Sequence, residues 1–294
     1  MTKISGIFAA SMSVLNNDLS LNVEKTLMHA EKLIDQGCHG TVIFGSTGQS
    51  QLIPISEKIE LLNNLSKSKY QDKHIIGTGL NSLGETINFM KIAISLNLNK
   101  FLIMPPAYYS YGDTEVLNFY SRIINSVPDC KIILYNFEKL SGYKFSLQCV
   151  ETLVNKFPEQ IIGVKDSSYN LYENLKLKNF SILPGSETKL LKGLELGCSG
   201  IITATCNVTA ELSRQVYDDF FAGKKQLHND KLCDVRSTFD KYNLISGLHT
   251  YCAQNDDIYK NILPPLSLLN RNDEEELMNK LKDLEFYNKP TLAA

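Results

Sequence analysis

The chain has 294 residues, of which 43% are hydrophobic and 21% are charged, the composition of an ordinary globular protein. Thirty basic and 32 acidic side chains give a net charge of −2, so no nucleic-acid footprint and no basic membrane-binding face is expected. No apolar run approaches the roughly 18 residues of a membrane span. We interpret the N-terminal MTKISGIFAAS as a first strand, not as a signal peptide, because serines and a glycine interrupt its apolar run.

The cysteines and histidines limit the compartment and the chemistry. Seven cysteines without a CxxC pair favour reduced thiols and a cytoplasmic location. The five histidines form no HxH or HxxxH pair, so a metal site is not expected.

Eight short apolar or β-branched runs follow one another along the chain. They are continuous and do not alternate with polar residues, which is typical of parallel strands covered on both faces. In chain order they read ISGIFAAS, GTVIFGS, HIIGTGL, KFLIMPP, KIILYN, QIIGVKDS, SILPGS and SGIITATCN.

Segments with helical spacing lie between these runs, for example NVEKTLMHAEKLIDQG after the first run and ISEKIELLNNLSKS after the second. Capping residues predict three helix N-termini, at Ser56, Asp113 and Ser146. Eight strands alternating with helices predict an α/β protein with a (β/α)₈ TIM barrel over residues 1–223. Helical stretches without strands follow, and predict a C-terminal helical extension over residues 224–294.

In such a barrel the chemistry lies at the C-terminal ends of the strands. Several strands end in hydroxyl, glycine or tyrosine residues, and the sixth ends in KDSS. Strands 5 and 6 are neighbours in a barrel, so Tyr135 should lie beside Lys165.

Lys165 has two interpretations. It could mark the exit of a strand into water, with its stem over apolar neighbours. Alternatively, a lysine amine held in a dry pocket loses its proton more readily and becomes a nucleophile. Asp166 need not pair with it, because successive strand residues point to opposite faces. Tyr135 could likewise be a rim aromatic or a group that passes protons.

The other rim residues also have two interpretations. Ser46 and Thr47 could form a plain turn, or could offer hydroxyls and backbone N–H groups to a carboxylate. Tyr108 could be a surface or interface aromatic. Gly185 could relieve a tight turn, and Glu187 could favour a helix start.

Taken together, the stretches GSTG, PPAYY, YNFEKLSG, GVKDSS, PGSE and GIITATCN, in this order and spacing, resemble the dihydrodipicolinate synthase and N-acetylneuraminate lyase family. The resemblance covers essentially the whole chain, including the C-terminal ILPPLSLL. It implies a class I aldolase barrel, usually a homotetramer, in which a lysine forms a Schiff base with pyruvate. It also implies that no metal or organic cofactor is needed.

The resemblance assigns roles on the pyruvate side residue by residue. Lys165 matches the Schiff-base lysine, and Tyr135 matches the tyrosine that moves protons around it. Ser46 and Thr47 match the hydroxyl pair that holds the pyruvate carboxylate and joins the proton relay. Ile202 falls where a backbone group contacts pyruvate.

On the side of the second substrate the match is partial. Tyr108 aligns with a tyrosine that reaches into the neighbouring subunit's site, and Gly185 and Glu187 fall where the pocket is lined. Leu140 stands where the synthases carry an arginine for a substrate carboxylate, and leucine cannot make that contact. Lys139, one position earlier, could compensate as a point charge.

These features predict a pyruvate-dependent lyase acting on a 2-oxo acid, with a 2-keto-3-deoxy sugar acid or a sialic-acid-like compound as the leading substrate class. The alternative within the enzyme class is dihydrodipicolinate synthase, which condenses pyruvate with aspartate semialdehyde. A barrel that senses a 2-oxo acid without turnover is the alternative from a different class, and the presence of both Lys165 and Tyr135 argues against it.

Overall fold

Eight parallel strands form a nearly closed barrel in the computed structural model, which describes residues 3–287. The strands are β1 (Gly6–Ala10), β2 (Gly40–Ile43), β3 (His74–Gly77), β4 (Lys100–Ile103), β5 (Lys131–Asn136), β6 (Ile161–Asp166), β7 (Ser181–Pro184) and β8 (Gly200–Thr203). They pair in the order β7-β6-β5-β4-β3-β2-β1-β8. The β7 and β8 edges face each other, where the Ser199 N–H donates to the Ile182 carbonyl over 2.9 Å.

Helices surround the barrel and continue beyond it. The barrel region contains α1 (Val23–Asp35), α2 (Ile55–Leu65), α3 (Leu83–Ser95), α4 (Asp113–Ser126), α5 (Glu138–Ser141), α6 (Leu147–Lys156), α7 (Leu190–Glu195) and α8 (Cys206–Phe221). After α8 come α9 (Asn229–Phe239), α10 (Leu244–Ala253) and α11 (Arg271–Asp283). The predicted barrel and helical extension are confirmed, and the predicted division at residue 223 falls between α8 and α9. Residues 1, 2 and 288–294 of the two predicted domains lie outside the described residues.

Two of the three predicted helix caps are wrong. Ser56 lies inside α2, whose N-cap is Pro54, because the ring fixes φ at −57° and presets the turn into the helix. Asp113 is the first residue of α4, after Gly112 as N-cap, and its carboxylate accepts bonds from Tyr143 and Ser146. Ser146 is confirmed, since its side chain accepts from the Cys149 N–H over 3.0 Å.

The β6–β7 connection also departs from a regular βα unit. Residues 167–180 contain turns and no α-helix. Asp166 organises the start of this segment by accepting hydrogen bonds from the N–H groups of Tyr169, Leu171 and Tyr172, each over 2.9 Å.

Apolar side chains fill two layers, one inside the barrel and one between strands and helices. The inner layer includes Phe8, Val42, Ile133, Leu183 and Ile202, and Tyr135 belongs to it. The outer layer takes the alternate strand residues. This alternation decides which side chains reach the interior where the strands end.

The C-terminal extension is attached to the barrel through apolar and polar contacts. Val235, Phe239 and Leu248 pack against Met12 and Ala204, which follow β1 and β8. Among residues 3–287, none of the helices is long and apolar enough to cross a membrane.

A buried chain of polar groups adds to this attachment. The Asn207 side-chain oxygen accepts from His29 Nε2 over 2.8 Å and from the Met12 N–H over 3.0 Å, so His29 carries its proton on Nε2. Its Nδ1 then accepts from the Tyr259 hydroxyl over 2.8 Å. Burial lowers the pKa of His29 to about 4, and it does the same to His74.

These two histidines predict a loss of stability in mild acid. In the unfolded chain a histidine titrates near 6.5, so between about pH 6.5 and 4 the unfolded state binds more protons than the folded state. The free energy of unfolding should therefore fall as the pH falls through that window, by up to about 3 kcal/mol for each histidine. His29→Gln should be less stable at pH 7.5 but should lose less stability on acidification. Urea unfolding at several pH values measures both effects.

His228→Gln is the matched control, since His228 is exposed. It should keep the pH dependence of the original protein. An unchanged pH dependence in His29→Gln would contradict the prediction.

Candidate active site

Lys165 is the penultimate residue of β6, lies inside the barrel and is only 3% exposed. In the strand register it lies between Tyr135 of β5 and Leu183 of β7. Its Nζ lies 4.2 Å from the centroid of the Tyr135 ring. The predicted adjacency of Lys165 and Tyr135 is therefore confirmed, and the lysine does not mark an exit into water.

Tyr135 connects Lys165 to the loop after β2. Its hydroxyl lies 3.1 Å from Ser46 Oγ, and either oxygen can be the donor. The ring is buried with the inner apolar layer, so the hydroxyl is the polar end of an otherwise apolar group. Lys165, Tyr135 and Ser46 thus meet at one place, although two of them lie on different strands and the third lies in a loop.

Asp166 faces away from Lys165, as strand alternation predicts. Besides the three backbone N–H groups, its carboxylate accepts a bond from the Asn136 amide over 2.8 Å. Burial raises the pKa of Asp166, and these hydrogen bonds act in the opposite direction. No ion pair among residues 3–287 includes Lys165. The amine is buried without a carboxylate beside it.

The loop after β2 is tightly shaped. Phe44 and Gln49 have left-handed backbones, with φ of 58° and 53°. Gly77 of β3 is needed here, because a Cβ would lie 2.2 Å from the Phe44 carbonyl oxygen. Within the described residues, the N–H groups of Ser46 and Thr47 donate to no other backbone atom. They, and the buried Thr47 side chain, are suited to an anion at this point.

Side chains of the extension hold this loop from behind. The Gln49 side-chain oxygen accepts from the Leu263 N–H over 2.8 Å, and its amide nitrogen lies 3.2 Å from His249 Nε2. His249 Nδ1 donates to the Tyr259 carbonyl over 2.8 Å, so Nε2 is the acceptor for Gln49. The strained Gln49 backbone is therefore fixed by its own side chain.

Gly185 and Ile202 lie at the ends of β7 and β8. Ile202 is part of the inner apolar layer, with Tyr135. Gly185 packs against Ser167, whose Oγ would lie 2.2 Å from an added Cβ. Any side chain at residue 185 would therefore force the Ser167 side chain to move.

Glu187 is fully buried behind this rim. Its carboxylate accepts from Thr203 over 2.7 Å, from Thr209 over 3.2 Å and from Arg236 Nη1 over 3.0 Å. Direct contact between this carboxylate and a substrate would have to displace one of these partners.

Tyr108 and Leu140 lie at the periphery. Tyr108 is 91% exposed, with φ of 89°, and its ring packs edge-on against Tyr109 at 5.1 Å. Leu140 is 43% exposed on the short helix α5. Lys139 beside it is exposed, while Glu138 pairs with Lys144 over 2.9 Å. The structure does not bring these side chains into contact with Lys165.

Within the part of the chain that the structure describes, no group of three or more histidine, cysteine, aspartate or glutamate side chains is placed to hold a metal ion.

Comparison with known proteins agrees with this geometry. A model of the dihydrodipicolinate synthetase family matches residues 3–284. The chain belongs to this family. An uncharacterised DapA-like lyase of Chloroflexus aurantiacus is 27% identical over 284 residues, which is 94% of each chain.

Solved structures show the same fold at lower identity. YagE, a prophage protein of this family from E. coli K12 solved with pyruvate, has a TM-score of 0.86 and 22% identity, covering 97% of this chain and 100% of its own. A catalytic lysine mutant of the Ruminococcus gnavus sialic acid aldolase has a TM-score of 0.86 and 17% identity, covering 96% and 98%. The dihydrodipicolinate synthetase fold is thus shared over the full barrel and most of the extension.

The sequence analysis missed Arg236, whose side chain contacts the ends of β7 and β8. It is buried in α9, and its guanidinium bonds Glu187, Thr203, Thr205 and Asp240. Burial opposes its charge, but Glu187 and Asp240 keep the pKa of Arg236 above its ordinary value. A single arginine in an amphipathic helix carries no sequence signal of such a role.

Proposed function

We propose that the chain is a class I aldolase in which Lys165 forms a Schiff base with pyruvate. The observation that carries this proposal is a buried amine that has no carboxylate partner among residues 3–287 and lies 4.2 Å from the ring of a tyrosine whose hydroxyl meets Ser46. Membership of a lyase family supports the same class of reaction.

The residues suggest a role for each step. The neutral amine attacks the pyruvate ketone, and the resulting carbinolamine loses water to give an iminium ion. The iminium makes the pyruvate methyl group acidic, and loss of one proton gives an enamine. Tyr135, linked to Ser46, takes and returns these protons.

The loop after β2 would hold the carboxylate of pyruvate. Ser46 and Thr47 supply hydroxyls and backbone N–H groups at a turn that Gln49 and its partners keep rigid. Ile202 of β8 would contribute its backbone from two strands away, since β1 lies between β2 and β8. The enamine carbon then adds to an aldehyde, or in the reverse direction a 2-oxo acid is cleaved to pyruvate and an aldehyde.

The leading substrate class is a 2-keto-3-deoxy sugar acid or a sialic-acid-like compound. Leu140 supports it, because α5 presents an apolar side chain where a synthase requires a cation for a second carboxylate. Lys139 is the specific feature that favours the alternative, dihydrodipicolinate synthase. The structural similarity to a sialic acid aldolase supports the shared fold, and this fold suits either substrate class.

The oligomer and compartment belong to the same proposal. The Tyr108–Tyr109 pair is a large exposed aromatic surface, which suits burial in a homotetramer that lets Tyr108 reach a neighbouring site. Seven cysteines without a disulfide among the described residues fit a reducing cytoplasm.

The first prediction from this proposal tests the nucleophile. Pyruvate with borohydride should add one reduced pyruvate per chain at Lys165, and Lys165→Ala should abolish the adduct. Peptide mass mapping locates the label. Lys58 is the matched control, since it is another fully buried lysine, and burial lowers its pKa to about 8. Lys58→Met should keep the adduct, and a label on Lys58 would contradict the assignment.

The second prediction concerns the proton relay. Tyr135→Phe removes only the hydroxyl, so the fold should persist while kcat falls by roughly 10²- to 10⁴-fold. Steady-state kinetics with a folded variant, checked by circular dichroism, measures this. Tyr172→Phe is the control. Tyr172 lies in the outer layer and its hydroxyl donates to Glu173, so this variant should retain turnover. Near-normal turnover of Tyr135→Phe would place the relay elsewhere.

The third prediction separates the two substrate classes. Loss of a charge-assisted contact to the semialdehyde carboxylate costs about 1.5–3 kcal/mol, or roughly 10- to 100-fold in specificity. Condensation of pyruvate with aspartate semialdehyde should therefore be weak, and cleavage of at least one 2-keto-3-deoxy sugar acid should be clear, as measured by product mass. Efficient semialdehyde condensation that is lost in Lys139→Ala would instead assign the chain to the synthases.

A further inference from the structure

Arg236 connects the helical extension to the ends of β7 and β8. Its Nη1 lies 2.8 Å from Thr203 Oγ1, 3.2 Å from Thr205 Oγ1 and 3.5 Å from the Gly185 carbonyl oxygen. Thr203 is the last residue of β8, and Gly185 directly follows β7. One guanidinium therefore bridges the two strand ends where the hydrogen-bonded ladder of the barrel is open.

The same guanidinium is held by two carboxylates. Nη1 pairs with Glu187 over 3.0 Å, and Nε pairs with Asp240 over 2.9 Å. Glu187 is in turn bonded to Thr203 and Thr209. The guanidinium is thus held by carboxylates at both Nη1 and Nε. It therefore ties the position of α9 to the ends of β7 and β8.

A buried ion pair contributes little net free energy to the stability of a fold. Desolvation of two charges offsets much of their attraction, and apolar replacements of similar volume are often equally stable. A directional bridge has a different effect, since a planar guanidinium fixes several acceptors at defined angles. Because this bridge lies at the mouth of the barrel, it fixes the positions of the ends of β7 and β8 there.

Arg236 lies behind the wall and does not enter the interior. Ile202 belongs to the inner layer, so Thr203 beside it points outward, toward Glu187 and Arg236. Lys165, Tyr135 and Ser46 are reached from β6, β5 and β2 instead. The guanidinium therefore acts on the ends of β7 and β8, and its hydrogen bonds go to none of Lys165, Tyr135 and Ser46.

We propose that Arg236 is a positioning residue that shapes the part of the site that receives the second substrate. It acts through the Gly185 carbonyl, Thr205 and Glu187, and it sets the affinity for the aldehyde portion of a 2-oxo acid without altering Schiff-base formation. This inference rests on the proposed aldolase function.

The main test uses a double variant, Arg236→Met with Glu187→Gln, which removes both charges and leaves neither buried alone. Borohydride trapping of pyruvate at Lys165 should proceed at a rate within about twofold of the original protein. KM for cleavage of 2-keto-3-deoxygluconate or N-acetylneuraminate, whichever the original protein cleaves, should rise at least tenfold, because the wall that contacts the aldehyde portion loses the bridge that fixes its position. kcat should change less than KM.

Arg236→Lys provides a second variant that keeps the positive charge and loses the planar fork. It should fold, trap pyruvate normally and show an intermediate rise in KM. If Arg236→Lys has the kinetics of the original protein, the geometry of the guanidinium is not needed and the proposal is wrong.

Arg214→Met is the matched control. Arg214 lies in α8, pairs with Asp218 four residues on as Arg236 pairs with Asp240, and donates to the Gly37 carbonyl. It should leave trapping and KM unchanged. Equal losses of trapping and cleavage in the Arg236 variants would show a general structural role and overturn the proposal. Absence of trapping in the original protein would instead refute the aldolase function.

Discussion

The rest of the site depends on keeping a buried amine free of a carboxylate. Lys165 has an aspartate as its sequence neighbour, and a direct pair would hold the amine in its charged form. The strand solves this by alternation, since Lys165 faces the interior and Asp166 the outer layer. The outer carboxylate is then stabilised by three backbone N–H groups and by Asn136. The turn segment that replaces a helix after β6 follows from this, because it supplies those N–H groups.

The helical extension packs against the barrel and also positions residues at the rim. Its apolar helices cover the region after β1 and β8, while two polar attachments reach the rim. One runs from His249 and Leu263 to Gln49, behind the loop after β2 that carries Ser46 and Thr47. The other runs from Arg236 to the ends of β7 and β8. The two sides of the mouth are therefore positioned by different parts of the extension.

Much of this arrangement could be predicted from the sequence, because it follows from local patterns. Continuous apolar runs gave all eight strands, and barrel order alone placed Tyr135 beside Lys165. Residues whose roles depend on distant partners could not be predicted. Arg236 meets residues 49 and 51 positions away, and no periodicity encodes that. The predicted N-caps at Ser56 and Asp113 were wrong because Pro54 and Gly112, which precede them in the chain, adopt the backbone geometry of the helix start.

The exposed face of helix α5 has a consequence for how such a barrel can diversify. The helix begins two residues after β5 ends and its last residue is buried, yet Leu140 and Lys139 project at the surface and take no part in packing the inner layer. Replacements there leave the interior and its buried polar contacts untouched. Selection can therefore change this surface through a few codons while the buried group of Lys165, Tyr135 and Ser46 is inherited unchanged. Separation of this kind lets barrels of one family vary at the rim by small, reversible steps.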